Sequence, residues 1–142
     1  MQVRFEIPGE PQGKGRPRLG NGHTYTPKKT ADYEQLVRAA YLQKAGGYKF
    51  AKDVPLAVKI FAYMGIARSD TRKLQAAKQC GDIRPTKKPD WDNIGKVVCD
   101  ALNGVAYHDD AQIVRGLVEK LYDKDPGVDV IIGEVEKCQP TD

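Results

Sequence analysis

Cysteine and histidine are scarce in this chain of 142 residues, which contains three cysteines and two histidines. Cys80, Cys99 and Cys138 are widely spaced, form no Cys-x-x-Cys pair and have no histidine at ligand spacing. A zinc site and a disulfide framework are therefore both disfavoured, and a reducing cytoplasm is the predicted compartment. His23, in a glycine-rich loop, and His108, before an aspartate pair, are interpreted as turn residues without a chemical role.

Long hydrophobic runs, internal repeats and linkers are also missing. No apolar stretch approaches the length needed to cross a bilayer, and no signal-peptide pattern opens the chain, so a membrane partner is not expected. With 142 residues and 40% hydrophobic content, the sequence predicts one domain over residues 1–142 with enough mass for a real core.

Carboxylates, by contrast, are concentrated in two places. The first is Lys-Lys-Pro-Asp-Trp-Asp-Asn-Ile-Gly-Lys over residues 87–96, and the second is the pair at 109–110; their acids and amide are Asp90, Asp92, Asn93, Asp109 and Asp110. Clustered carboxylates repel one another, and removing them from water is costly unless a cation or a shared proton compensates. Oxygen ligands without His or Cys favour Mg²⁺ or Mn²⁺ over zinc. The cluster therefore indicates a hard cation that acts on a phosphate.

The apolar residues that follow these acids predict a helix over 92–102. They fall on one helical face, and Asn103-Gly104 supplies the stop signal. Lys96 lies four residues from both Asp92 and Asp100, so we expect it beside the acids on the exposed surface.

Two interpretations remain open for the residues just before this helix. If the chain is extended there, Asp90 and Asp92 point to the same side and can share a metal. Alternatively, the Pro-Asp-x-Asp-Asn stretch is a helix entry, which explains one acid as a cap but not the whole set. Trp91, between the two acids, is expected to pack in the core rather than to stack on DNA bases.

Positive charge is uneven along the chain, whose net charge is +4. Lys14, Arg16 and Arg18 are separated by Gly and Pro in a pliable loop, and Lys87 and Lys88 come just before the acids. Such charges suit contact with a phosphate backbone, whereas the alternative is a solvated basic loop. Beside the acidic motif, DNA contact is the favoured interpretation.

Hydrophobic periodicity predicts an α+β fold. The expected strands cover 2–7, 54–64, 113–121 and 128–136; the expected helices cover 29–45, 69–80 and 92–102; and loops cover 8–23 and the 109–110 pair. Strands and helices thus mix in one domain, which predicts a two-layer sandwich of a small mixed β-sheet with helices packed on it.

Three blocks of this sequence, residues 88–96, 100–104 and 109–113, closely resemble the signature of the RusA-type Holliday junction resolvases. The strong resemblance covers residues 87–122, about one third of the chain, and the stretches 8–18 and 24–27 are similar to the opening of phage and prophage members. The resemblance implies a RusA-like fold and a bacterial cytoplasmic protein encoded by a phage or prophage.

The same resemblance implies a homodimeric, Mg²⁺-dependent endonuclease that cuts four-way DNA junctions by paired, symmetric nicks. Asp90, Asp92 and Asp110 would hold the metal and Lys96 would assist, while Asn93 and Asp109 are supporting residues.

Three alternatives stay open beside this reading. A DNA-binding module could keep the basic surface without turnover, and a broader nuclease could use the same residues on flaps, forks or duplex. Nucleotide binding by the glycine-rich loop at 9–15 is the weakest, because that loop misses the Walker spacing by one residue and lacks the Ser or Thr after its lysine.

Overall fold

The structure is a computed structural model that describes residues 1–138. Along the chain the elements are β1 (Gln2–Pro8), β2 (Arg18–Gly20), β3 (His23–Tyr25), α1 (Lys28–Ala45), β4 (Leu56–Gly65), α2 (Arg72–Gln79), α3 (Trp91–Ala101), a 3₁₀ turn (Asp110–Gln112), β5 (Ile113–Asp123) and β6 (Gly127–Glu134).

Four of the strands form one mixed sheet in the order β1-β6-β4-β5. The β1–β6 and β6–β4 pairs are antiparallel, whereas β4 and β5 are parallel. A parallel pair requires a long crossover, and the chain between β4 and β5 supplies one that contains α2 and α3. The segment predicted to carry the chemistry therefore belongs to this crossover and to its return into β5.

The core lies between the sheet and helices α1 and α3. Alternate residues of β1 and β4 are buried, and each helix buries one stripe, which includes Val37 and Tyr41 on α1 and Ile94 and Val98 on α3. Helix α3 approaches β5 closely, because a Cβ atom on Gly95 would lie 3.2 Å from Cγ2 of Val118. The predicted α+β architecture, a mixed sheet with helices packed on it, is confirmed.

Two local predictions were wrong. The expected loop over 8–23 contains part of a hairpin, because Asn21 and Gly22 adopt positive φ angles of 51° and 77° and reverse the chain between β2 and β3. Trp91 is 64% exposed rather than in the core. It is the first residue of α3, and side chains on a helix lean toward its N-terminus, so the indole projects past the helix end.

Candidate active site

Asp90 and Asp92 are presented by the N-terminus of α3. Asp90 is the N-cap, with extended backbone angles (φ −69°, ψ 151°), but its carboxylate makes no capping hydrogen bond. Asp92 lies in the first helical turn, and both residues are exposed. The chain is therefore extended only at Asp90, so strand-like alternation does not bring the two acids together. Because the Asp90 carboxylate is released from capping, its oxygens remain available to an external partner.

The second acidic segment is fixed by a capping box. The Oδ1 atom of Asp109 accepts a hydrogen bond from the Ala111 N–H at 2.9 Å, while Oε1 of Gln112 accepts from the N–H groups of His108 at 3.1 Å and Asp109 at 3.2 Å. The amide of Gln112 also donates to the carbonyl of Ala51 at 2.9 Å. Asp109 thus shapes the turn, and Gln112 ties that turn to the segment before β4.

Asp110 occupies a more crowded position than its neighbour. Its N–H donates to Oδ1 of Asn103 at 2.7 Å, and its carboxyl group lies within hydrogen-bonding reach of those of Asp109 and Asp100. Burial, followed by these two carboxyl groups, raises the pKa of Asp110, although the Asn103 side chain opposes the shift. The Ala111 N–H and then Asp110 lower the pKa of Asp109. The negative charge of ionised Asp110 is therefore unfavourable in this environment, and a bound cation would compensate it.

The three predicted metal ligands are of the type that a hard cation prefers, but their arrangement in space must be considered separately. Asp90, Asp92 and Asp110 offer carboxylate oxygens, as Mg²⁺ prefers. Among residues 1–138, however, no group of three or more His, Cys, Asp or Glu side chains is arranged to hold a metal ion. The shared metal site of these three acids therefore remains a prediction. Asp100, which the sequence reasoning placed only beside Lys96, is the acid that the structure brings to Asp110.

Lys96 does not make the ion pairs that its spacing suggested. Its side chain is exposed, and within the described part of the chain it pairs with neither Asp92 nor Asp100. Asp100 instead lies 3.3 Å, through Oδ2, from Nζ of Lys14, which also lies 3.1 Å from Oε1 of Glu34. Burial lowers the pKa of Lys14, but the hydrogen bonds and charges of Glu34 and Asp100 outweigh it, so the net shift is upward.

A groove of about 1010 Å³ runs beside the α3 N-terminus. Its lining combines the N-terminal loop, the start of α1 and the segment before α3, and its charged and amide side chains include Lys14, Arg16, Arg18, Lys29, Lys87, Lys88, Asp90 and Asn93. Both basic segments predicted to contact DNA therefore face one groove, next to a predicted catalytic acid. Asp92, Lys96 and Asp110 are not part of this lining.

The N-terminal loop that lines the groove is held by hydrogen bonds at two of its residues, Glu10 and Lys14. Before the loop turns, the Glu10 carboxylate accepts a hydrogen bond from the N–H of Gly65 at 3.0 Å. Further along, the Lys14 N–H donates to the carbonyl oxygen of Asn93 at 3.0 Å. The backbone of Asn93 thus anchors the loop, whereas a supporting role of Asn93 in the chemistry remains a prediction.

Lys29 is a basic residue of the groove that was not among those predicted to contact DNA. A usable signal was present, because Lys28 and Lys29 begin α1 and no acid occupies that first turn. The helix dipole disfavours cations at this end, so lysines placed there indicate a demand other than helix stability.

Acidic side chains beside a cationic groove are the arrangement expected of an enzyme that cleaves phosphodiesters. The chain matches the model of the family described as Endodeoxyribonuclease RusA over residues 8–133, and it belongs to that family. It is also 37% identical over 137 residues to "Uncharacterized protein YqaN" of Bacillus subtilis (strain 168), an alignment that covers 94% of this chain and 96% of that protein. The resemblance read from the sequence is confirmed. Within residues 1–138, no helix has the length and apolar character to cross a membrane.

Proposed function

We propose that this protein is a Mg²⁺-dependent, structure-selective endodeoxyribonuclease that resolves four-way (Holliday) junctions by paired, symmetric nicks in recombination and repair. The observation that carries the proposal is the position of Asp90 in the same groove as Arg16, Arg18, Lys87 and Lys88. Membership of the RusA family supports the nuclease class. The cationic groove supplies affinity for the DNA backbone, and the acids beside it supply the cleavage site.

The residues divide the chemistry as follows. Asp90, Asp92 and Asp110 would hold Mg²⁺, or Mn²⁺ in its place, which when bound supplies an activated water and neutralises charge on the phosphate. Lys96, an exposed cation on the same helix, stabilises negative charge that develops on the phosphate. Asp109 supports this chemistry as the cap that fixes the turn of Asp110.

The proposal includes a homodimer in a bacterial cytoplasm, encoded by a phage or prophage. Paired nicks fall in strands related by a two-fold axis, and a two-fold dimer places two equivalent sites at a fixed separation. Light scattering on the purified protein is expected to give twice the 15.7 kDa mass of one chain at concentrations that support cleavage.

The test is digestion of an end-labelled four-way junction beside a linear duplex of matched sequence, with Mg²⁺ or with a chelator, on a denaturing gel. Paired nicks only in the junction and only with metal are expected. Asp92→Asn should abolish the nicks while the junction is still bound on a native gel. Asp125→Asn, an exposed aspartate in the turn between β5 and β6, is the matched control and should cut like the wild type.

Other results would replace the proposal. Equal cutting of junction, flap, fork and duplex would identify a broader nuclease. A retarded but uncut junction at every metal concentration would identify a DNA-binding module without turnover.

A further inference from the structure

Lys14 is a shielded cation that joins three parts of the fold. It belongs to the N-terminal loop, while its partners Glu34 and Asp100 belong to α1 and α3. The side chains of Lys14, Glu34 and Asp100 are only 18%, 13% and 26% exposed. A lysine that serves mainly as a phosphate contact should present its ammonium to solvent. This ammonium instead already has two carboxylate partners.

The loop around Lys14 is seated with little spare room. A Cβ atom on Gly13 would lie 3.0 Å from Cβ of Pro89 and 3.1 Å from Cβ of Asn93. On the other side, the N–H of Gly15 donates to Oγ1 of Thr30 at 3.0 Å. These glycines let the loop lie against both α3 and α1, which brings the Lys14 side chain between the two helices.

Asp100 connects this ion pair to the predicted cleavage site. Oδ2 of Asp100 lies 3.3 Å from Nζ of Lys14, and the carbonyl oxygen of Asp100 accepts a hydrogen bond from the N–H of Asn103 at 3.2 Å. The side chain of Asn103 in turn accepts from the N–H of Asp110, and the Asp100 carboxyl group contributes to the raised pKa of Asp110. The position of Asp110 thus depends on both Asn103 and Asp100. A chain of contacts therefore runs from the groove loop through Asp100 to Asp110.

We infer that Lys14 is a positioning residue, which holds Asp100 and through it the Asp110 carboxylate, and that it does not serve as a contact to DNA phosphate. The inference rests on the proposed nuclease function. Cleavage depends on the position of the Asp110 carboxylate because a displacement of about 1 Å at a catalytic group can lower the rate by about 100-fold. Arg16 on the same loop and Arg18 at the start of β2 remain the residues predicted to contact the phosphates.

The main test measures kcat and junction affinity separately for the wild type and Lys14→Met. Lys78→Met is the matched control, because Lys78 on α2 is also a shielded lysine. Its Nζ lies 2.5 Å from Oδ2 of Asp70, and both side chains are 15% exposed. Lys14→Met should lower kcat by about tenfold or more, as expected for a displaced catalytic group. The junction Kd should change by less than about threefold and keep the same salt dependence, because no phosphate contact is lost.

The control separates positioning from a general loss of stability. Lys78→Met should leave kcat at the wild-type value. An equal fall of kcat in both variants, or an unchanged kcat in Lys14→Met with weaker and less salt-dependent binding, would overturn the inference.

Glu34→Gln distinguishes the two roles of Lys14, because they predict different effects of this variant on junction binding. If Lys14 is a positioning residue, loss of one of its carboxylate partners lowers kcat and does not strengthen binding. If Lys14 binds phosphate, the same change frees its ammonium and tightens binding, which would overturn the inference.

Tryptic cleavage after Arg18 supplies a measurement that is independent of nuclease activity. Arg18 is the first residue of β2 and directly follows the seated loop, so release of that loop should make this bond easier to cut in Lys14→Met than in the wild type or Lys78→Met; equal rates would overturn the inference. Absence of cleavage by the wild-type enzyme would defeat the proposed function instead, and the two failures are therefore distinguishable.

Discussion

Asp110 and Asp109 are adjacent in sequence but occupy opposite electrostatic environments. Asp109 is fully exposed and accepts the Ala111 N–H, which lowers its pKa, whereas burial and two neighbouring carboxyl groups raise that of Asp110. In the absence of a cation, ionised Asp110 therefore destabilises the folded state. This is the expected condition of a ligand whose charge is compensated only when metal binds.

Asp110→Asn should raise the melting temperature at neutral pH in chelator, because it removes this repulsion while preserving the shape of the side chain. The folded pKa lies above the unfolded one, so the wild type loses stability as pH rises from the ordinary aspartate range through the raised pKa. The advantage of the variant should therefore grow over that window and vanish below it. Mg²⁺ should stabilise the wild type more than the variant. A lower melting temperature for the variant at neutral pH would contradict this account.

Trp91 is the single tryptophan of the chain, which makes its fluorescence a direct probe of the α3 N-terminus. Because it is 64% exposed, Trp91→Ala should change the free energy of unfolding by less than about 0.5 kcal/mol. Its emission should be that of a solvated indole and should be quenched by added junction, since its neighbour Asp90 lines the groove. Blue-shifted emission in free protein, or no change on DNA binding, would show a different environment.

Among the elements, the loop between β1 and β2 contains a glycine that leaves no room for a side chain. A Cβ atom on Gly15 would lie 2.5 Å from Oγ1 of Thr30 and 3.2 Å from Cγ of Pro27, closer than ordinary contacts. Gly47, just after α1, has no atom within 4 Å of the corresponding position. The two glycines therefore form a natural pair for comparison.

Gly15→Ala should destabilise the protein by about 1–3 kcal/mol, because the added methyl group forces the loop away from Thr30. Gly47→Ala should change stability by less than about 0.5 kcal/mol. Urea unfolding monitored by circular dichroism measures both values. Equal effects at the two positions would show that the loop adjusts without strain.

The regular elements were predictable because their signals are local. Strand alternation, the stripe of α3 and the Asn103-Gly104 stop all depend on residues within a few positions, and β1, α1 and α3 end within a residue or two of their predicted limits. The pairing of Asp100 was not predictable in this way. Spacing along the helix favoured Lys96, whereas the fold supplies Lys14 from a distant loop, and no periodic pattern encodes that contact.

At the scale of the whole molecule, the placement of the basic residues matters more for DNA binding than the net charge of +4. The fold brings the cations of the N-terminal loop, the start of α1 and the 87–88 segment to one groove. Electrostatic affinity for DNA should therefore come mainly from this groove, and it should fall steeply with salt.

Lys88→Met should weaken junction binding and flatten the slope of log K against log salt by about 0.9 for each groove that contacts the DNA, because one phosphate contact is lost per groove. A change of about 1.8 would indicate that both grooves of a dimer engage one junction. Fluorescence anisotropy over a salt series measures the slope, with Lys44→Met on the last turn of α1 as the control. An unchanged slope would place Lys88 outside the interface.

The β2–β3 hairpin has a consequence for how such enzymes can diverge. Most of its residues are exposed, including Leu19 at 79% and Tyr25 at 50%, and Arg18 at its start lines the groove. A segment that buries so little can change in length or sequence at small cost to folding, whereas the sheet and α3 have no such freedom. Exchange of this hairpin between relatives is thus a route by which selection, or a protein engineer, could retune substrate preference while the cleavage machinery is inherited intact.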